Sequence, residues 1–212
     1  MKRILFVKSS LNGAESASSG LAQELVAELG ARHPGSSVTT VDLDRLTLPH
    51  LGAAEFKSWL VPSGERNSEQ VDLAACSDRL IAQLLAHDTL VLAIPMYNMG
   101  VPSTLKAWID RVVRAGKTFR YTDSGPLGLV RDVDAYAVFA RGGAYRGTPL
   151  DTQTGYVKAI LGLIGIKDVK TVFAEGLAMG DESRDQSLGE AHDVIASLFN
   201  RTTSVEVSYV NS

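Results

Sequence analysis

Pro95-Met96-Tyr97-Asn98-Met99-Gly100-Val101-Pro102-Ser103-Thr104-Leu105-Lys106 follows directly on the apolar run Thr89-Leu90-Val91-Leu92-Ala93-Ile94. A short apolar run without alternation reads as a parallel strand buried on both faces. Proline and glycine end that strand. Pro102 suits the first turn of a new helix carrying Leu105, Trp108, Ile109 and Val112. Open α/β sheets bind ligands at such turns, outside the carboxyl ends of parallel strands. This turn offers a flat aromatic, a side-chain amide and exposed backbone N–H groups, which suit a planar heteroaromatic ring. The bland alternative is an ordinary strand–loop–helix junction, so the turn must be weighed with the rest of the chain.

Two further turns shift the balance. The strand Arg3-Ile4-Leu5-Phe6-Val7-Lys8 runs into Ser9-Ser10-Leu11-Asn12-Gly13-Ala14-Glu15-Ser16-Ala17-Ser18-Ser19, ahead of an amphipathic helix with Leu21, Leu25, Val26 and Leu29 on one face. Hydroxyls and free N–H groups at a helix start form an anion site. Neither Gly-x-Gly-x-x-Gly nor Gly-Lys-Thr occurs there, which leaves a single phosphate monoester as the better fit. A serine N-cap beside a polar loop would look the same. After Ala135-Tyr136-Ala137-Val138-Phe139 comes Ala140-Arg141-Gly142-Gly143-Ala144-Tyr145, whose paired glycines allow close backbone approach to a ligand or make a plain tight turn. A phosphate site, a ring-reading edge and a close backbone contact together outline a mononucleotide.

The residues Lys8-Ser9-Ser10, Ser16-Ala17-Ser18, Pro95-Met96-Tyr97-Asn98, Arg114-Ala115-Gly116-Lys117-Thr118-Phe119-Arg120-Tyr121, Gly125-Pro126-Leu127-Gly128-Leu129-Val130 and Arg141-Gly142-Gly143 belong together in a known pattern. From Lys2 to about Leu198 the chain resembles the FMN-dependent NADH-azoreductase and quinone reductase family of the flavodoxin-like fold. The resemblance implies one noncovalent FMN per chain. Ser10, Ser16, Ala17 and Ser18 would hold its phosphate region. Met96, Tyr97, Asn98 and Met99 would line the isoalloxazine, and Ala140, Arg141, Gly142 and Gly143 would close its other edge. It implies hydride transfer from NADH or NADPH to quinones, reductive cleavage of azo bonds, and a homodimer. Met99 stands where phenylalanine is common in the family, and Ala140 where serine is common. With one ring face left open, donor and acceptor would have to alternate there, giving ping-pong kinetics. No catalytic side chain and no metal ligand is singled out. Arg141 and Tyr145 are candidate substrate contacts, with Arg141 read as an exposed loop arginine of the kind that usually does no chemistry.

The whole chain sets the bounds. Its 212 residues, 45% hydrophobic, suffice for one α/β domain, expected over 1–201 with a flexible tail over 202–212. A formal charge of −3 with mixed signs gives no nucleic-acid surface, and it argues against the main alternative, a strongly acidic electron carrier of flavodoxin type. Apolar runs are strand-length, so no membrane span is expected. One cysteine, Cys76, precludes a disulfide within the chain and fits a reducing cytoplasm. His33, His50, His87 and His192 lack metal-ligand spacing. The coarse order is strand 3–8, helix 17–32, strand 37–42, a helical excursion 53–86, strand 89–94, helix 103–115, strand 134–140, helix 151–164, strand 169–174 and helix 183–200. Alternating strands and helices imply a parallel sheet with right-handed crossovers, and five such strands fit the flavodoxin-like order 2-1-3-4-5. The apolar group Ile160, Leu161, Leu163 and Ile164 is offered as a dimer contact, with core as its other fate.

Overall fold

The computed structural model describes residues 1–199. Its main sheet has five parallel strands: β1 (Arg3–Lys8), β2 (Ser37–Asp42), β3 (Thr89–Pro95), β6 (Asp134–Ala140) and β7 (Val169–Ala174). They lie in the order β2-β1-β3-β6-β7, which is 2-1-3-4-5 when the sheet strands alone are counted. The expected flavodoxin-like architecture is therefore present. The tail 202–212 lies outside the described residues.

Alternation along each strand divides the core between the two faces of the sheet. Leu5, Val7, Leu90, Leu92, Ile94, Ala137 and Phe139 face one way, against helices α3 (Ser68–Leu85), α4 (Ser103–Val112) and α5 (Thr154–Ile164). Ile4, Phe6, Val91, Ala93 and Val138 face the other way, against α1 (Ala17–Arg32) and α6 (Asp181–Phe199). β3 is buried along its whole length, as its unbroken apolar run predicts. The excursion 53–86 is two helices, α2 (Ala53–Leu60) and α3, with the polar segment Pro62–Ser68 joining them as expected. Buried Arg111 of α4 ties α2 in place through Glu55, at 2.7 and 2.9 Å.

Three readings need correction. A hairpin, β4 (Phe119–Thr122) with β5 (Gly125–Gly128), stands outside the main sheet where no strands were expected. Gly128 packs against Gly165 so closely that a Cβ would lie 2.2 Å from its nitrogen, so glycine is required there. Helix α5 starts at Thr154 rather than 151, because the Asp151 carboxylate accepts the Thr154 N–H at 3.0 Å. The stripe around Ile160, offered as a dimer contact with core as its other fate, goes mainly to core: Leu161 and Ile164 are buried and Ile160 packs on the same cluster, while Leu163 is half-buried. Among the described residues no helix is long and apolar enough to cross a membrane, and no cluster of His, Cys, Asp or Glu is placed to hold a metal ion.

Candidate active site

The carboxyl ends of β1, β3, β6 and β7 open on one side of the sheet, and the turns leaving them enclose a cleft. The order in which strands are added reverses at β1, with β2 on one side and β3 on the other, the switch point where such sheets bind ligands. At its narrow end the cleft is a cavity of about 200 Å³. Ser10, Ser16, Ala17, Ser18, Met96, Tyr97, Ala140, Arg141 and Gly142 line it, so the three turns picked out in the sequence meet in one place.

Ser16 caps α1, its Oγ accepting the Ser19 N–H at 3.1 Å and lying 3.2 Å from Ser18 Oγ. The bland reading of this serine is thus also correct; it is a cap and it lines the cavity. The N–H groups of Ala17 and Ser18 lie in the helix's first turn, where no intrahelical acceptor exists. Ser10 Oγ lies 3.2 Å from the Tyr97 hydroxyl, which also accepts the Leu11 N–H at 3.0 Å. The first and second turns are therefore joined through one phenol.

At the wide end a cavity of about 910 Å³ is bounded by Leu11, the segment 96–104, Lys106, Thr152 and Tyr156. Residues 97–100 form a tight turn closed by Gly100 N–H to Tyr97 carbonyl at 2.9 Å and Tyr97 N–H to Gly100 carbonyl at 3.2 Å. Asn98 and Met99 both have left-handed backbone, at φ 48° and 61°. Asparagine tolerates this; for methionine it is strain, of the sort held in place only where surrounding structure over-determines it. Among the described residues nothing accepts a hydrogen bond from the backbone N–H of Asn98, Met99, Gly142 or Gly143. Burial and the nearby Asp110 carboxylate push the Tyr156 phenol up, which keeps it a neutral donor at the cavity wall.

What holds these turns is Arg141, and its placement corrects the expectation of an exposed loop arginine. It is 1% exposed. Its guanidinium lies 5.0 and 5.3 Å from the ring centres of Phe139 and Phe173. It donates to Asp151 (2.8 Å), Thr154 (2.9 Å), Glu175 (3.0 Å) and Gln153 (3.1 Å). Gln153 in turn donates to the carbonyls of Pro95 at 2.9 Å and Gly100 at 3.0 Å. Glu175 accepts the N–H groups of Tyr145 and Arg146, both at 2.9 Å. One buried cation thereby fixes the turns after β3, β6 and β7. Tyr145 is half-buried, its ring against Gly143, where a Cβ would meet it at 2.7 Å.

Several lining residues were not picked out beforehand: Asn12, Glu15, Leu177, Ala178 and Arg184 at the narrow end, and Lys106, Thr152 and Tyr156 at the wide end. The turn Glu175-Gly176-Leu177 ends a parallel strand, and the rule that found the other three turns would have found it too. The carbonyls of Arg141, Gly142 and Gly143 accept N–H groups from this fourth turn, at 3.1, 2.9 and 3.1 Å.

A flavodoxin-like sheet with a polar cleft at its switch point defines a mononucleotide-binding class, and comparison with known proteins narrows it. Residues 2–198 match the family described as flavodoxin-like fold, and the chain belongs to that family. An FMN-dependent NADH:quinone oxidoreductase of Alteromonas mediterranea is 45% identical over 198 residues, covering 93% of this chain and 98% of that protein. FMN-dependent NADH:quinone oxidoreductase 2 of Pseudomonas fluorescens is 43% identical over 93% of this chain and 100% of its own length. Among solved structures, an azoreductase from Bacillus anthracis superposes with a TM-score of 0.86 at 29% identity, covering 95% of this chain and all of that one.

Proposed function

We propose that this chain is an FMN-dependent NADH:quinone oxidoreductase that also cleaves azo bonds, with NADH rather than NADPH as its donor. The observation that carries the reading is the joining of two unlike sites in one cleft: a hydroxyl-lined helix start, and a wide mouth with unpaired backbone N–H groups. Ser10, Ser16, Ala17 and Ser18 hold the phosphate region of one noncovalent FMN. Met96, Tyr97, Asn98 and Met99 take one edge of the ring, and Ala140, Arg141, Gly142 and Gly143 the other. Arg141 contributes backbone there, because its side chain is already engaged by Asp151, Glu175, Gln153 and Thr154. Relatives named for this chemistry at 45% and 43% identity support the reading.

FMN, when bound, supplies the capacity to take up and pass on a hydride. The chain positions and tunes. N–H groups of Gly142 and Gly143 favour negative charge at the ring edge beside them, as an oxyanion hole does. Those of Asn98 and Met99 favour an acceptor atom at the opposite edge. The neutral Tyr156 phenol and Lys106 stand in the mouth and orient what enters.

Residues 1–201 act as one domain in this reading, and the protein works in the cytoplasm as a homodimer. Leu11 (58%), Met99 (36%) and Leu150 (56%) are exposed apolar side chains, the first two in the wall of the mouth, where a second copy would cover them. The carrier alternative has no use for a mouth of this size beside the ring turn.

Initial rates of NADH oxidation by a benzoquinone, across a grid of both substrates, test the function. Both substrates approach through the one mouth, so parallel double-reciprocal lines are expected, with turnover dependent on FMN. A protein that takes up FMN but reduces no quinone would overturn the proposal.

A further inference from the structure

The narrow end of the cleft is also lined by two charged side chains that neither the helix cap nor the Arg141 network engages, Arg184 and Glu15. Arg184 sits in the first turns of α6, and Glu15 in the short 3₁₀ turn that precedes α1. Among the described residues, neither side chain makes a hydrogen bond or an ion pair. Arg141, the other arginine of the lining, has its donors committed to four partners. Arg184 is therefore the one lining cation with all its donors unused.

A phosphate monoester carries close to two negative charges at neutral pH. The serine hydroxyls bring no charge, and a helix start brings the equivalent of about half a positive one. Glu15 adds a further negative charge on the same wall. As built from the residues already assigned, this end repels part of what it has to hold. A guanidinium matches two phosphate oxygens at once, and such charge-assisted pairs are among the stronger hydrogen bonds in proteins.

We infer that Arg184 is a further cofactor-binding residue, closing over the FMN phosphate from α6 and neutralising it against Glu15. The inference rests on the proposed phosphate assignment to the serine turn. It makes α6, remote in sequence from every recognised motif, part of the cofactor site, and it makes FMN affinity sensitive to salt at one identifiable residue.

Flavin-stripped full-length protein, titrated with FMN and with riboflavin by flavin fluorescence, provides the test. Arg184→Ala should weaken FMN binding roughly 10- to 100-fold, the scale of one lost charge-assisted contact, and leave riboflavin within about twofold, since riboflavin has no phosphate. Arg184→Lys should restore part of the loss, and Glu15→Gln should tighten FMN about two- to threefold, as removal of a nearby like charge does. Equal loss for both flavins, or unchanged FMN affinity in Arg184→Ala, overturns the inference while the phosphate assignment stands. A wild-type protein that binds riboflavin as tightly as FMN overturns both.

Discussion

Side chains build the narrow end of the cleft, whereas backbone builds the wide end. Ser10, Ser16 and Ser18 are each no more than 5% exposed and carry hydroxyls between the end of β1 and the first turn of α1. The wide end presents the free N–H groups of Asn98 and Met99 from its tight turn, and those of Gly142 and Gly143 stand on the neighbouring turn after β6. The two ends consequently depend on different things. The hydroxyls of the narrow end are local, a cap and a loop within ten residues, although residues from the later turns also line that cavity. The wide end depends on a buried network, Arg141, Gln153 and Glu175, that ties together turns far apart in sequence.

The largest effect should come from breaking that network. Arg141→Met leaves Asp151 and Glu175 without their cation, and removing one partner of a buried pair costs about 3–5 kcal/mol. At about 2–4 °C per kcal/mol for a chain of this size, thermal unfolding should shift down by about 6–20 °C. A shift below about 2 °C would mean that the turns support themselves, contrary to the reasoning from buried pairs.

Next in size is the narrow end. Ser16→Asp with Ser18→Asp keeps a competent helix cap but sets two negative charges against a phosphate, so FMN affinity should fall about 100-fold or more. Both serines are buried with their hydroxyls 3.2 Å apart, so the two like charges also lower stability; riboflavin, which has no phosphate, should lose less affinity than FMN. Retention of FMN by this protein through gel filtration would remove the phosphate from this end.

Acid sharpens the contrast further. Burial works against ionisation of Asp151, but hydrogen bonds from the Thr154 backbone and from Arg141 outweigh it and hold the carboxyl below its ordinary 3.8. A carboxyl with a depressed folded-state pKa contributes fully above its unfolded value, and the contribution is lost as pH falls through the folded value. Asp151→Asn should therefore be less stable than wild type at pH 7, with the gap in urea midpoints narrowing below pH 3.8. A gap independent of pH would mean that the charge on Asp151 contributes nothing.

The smallest effect concerns the mouth. Met99→Phe places a larger ring in the wall of the wide cavity, on a residue already strained at φ 61°. Quinone KM should move a few-fold, as pocket-wall changes of this size do, with FMN affinity unchanged. Equal changes in FMN affinity would show that the Met99 side chain, not its backbone, meets the flavin.

The sequence displays the two ends unequally for the same reason. Strand ends followed by proline, glycine or a serine cap are local signals, so the turns at 9–18, 95–102 and 140–143 could be read directly. Alternation of strands and helices gives the parallel sheet, and the anion-site turn after the first strand fits it to the order 2-1-3-4-5. Burial of Arg141 could not be read, because its carboxylate partners stand 10 and 34 residues away and a loop arginine is exposed by default. Arg184 lies on the polar side of an amphipathic helix, where charge reads as solvation. The hairpin at 119–128 has strands of four residues each, too short to show alternation, and it is held from outside where Gly128 packs on Gly165 and where Val130, just beyond it, donates to the Ile164 carbonyl.

Calorimetric titration of flavin-stripped wild-type protein with FMN and with riboflavin tests the central claim most directly. The account expects one FMN per chain, bound at least tenfold more tightly than riboflavin because one charged group is met at the narrow end, and an advantage that shrinks as salt rises. Equal affinities for the two flavins, indifferent to salt, would contradict it.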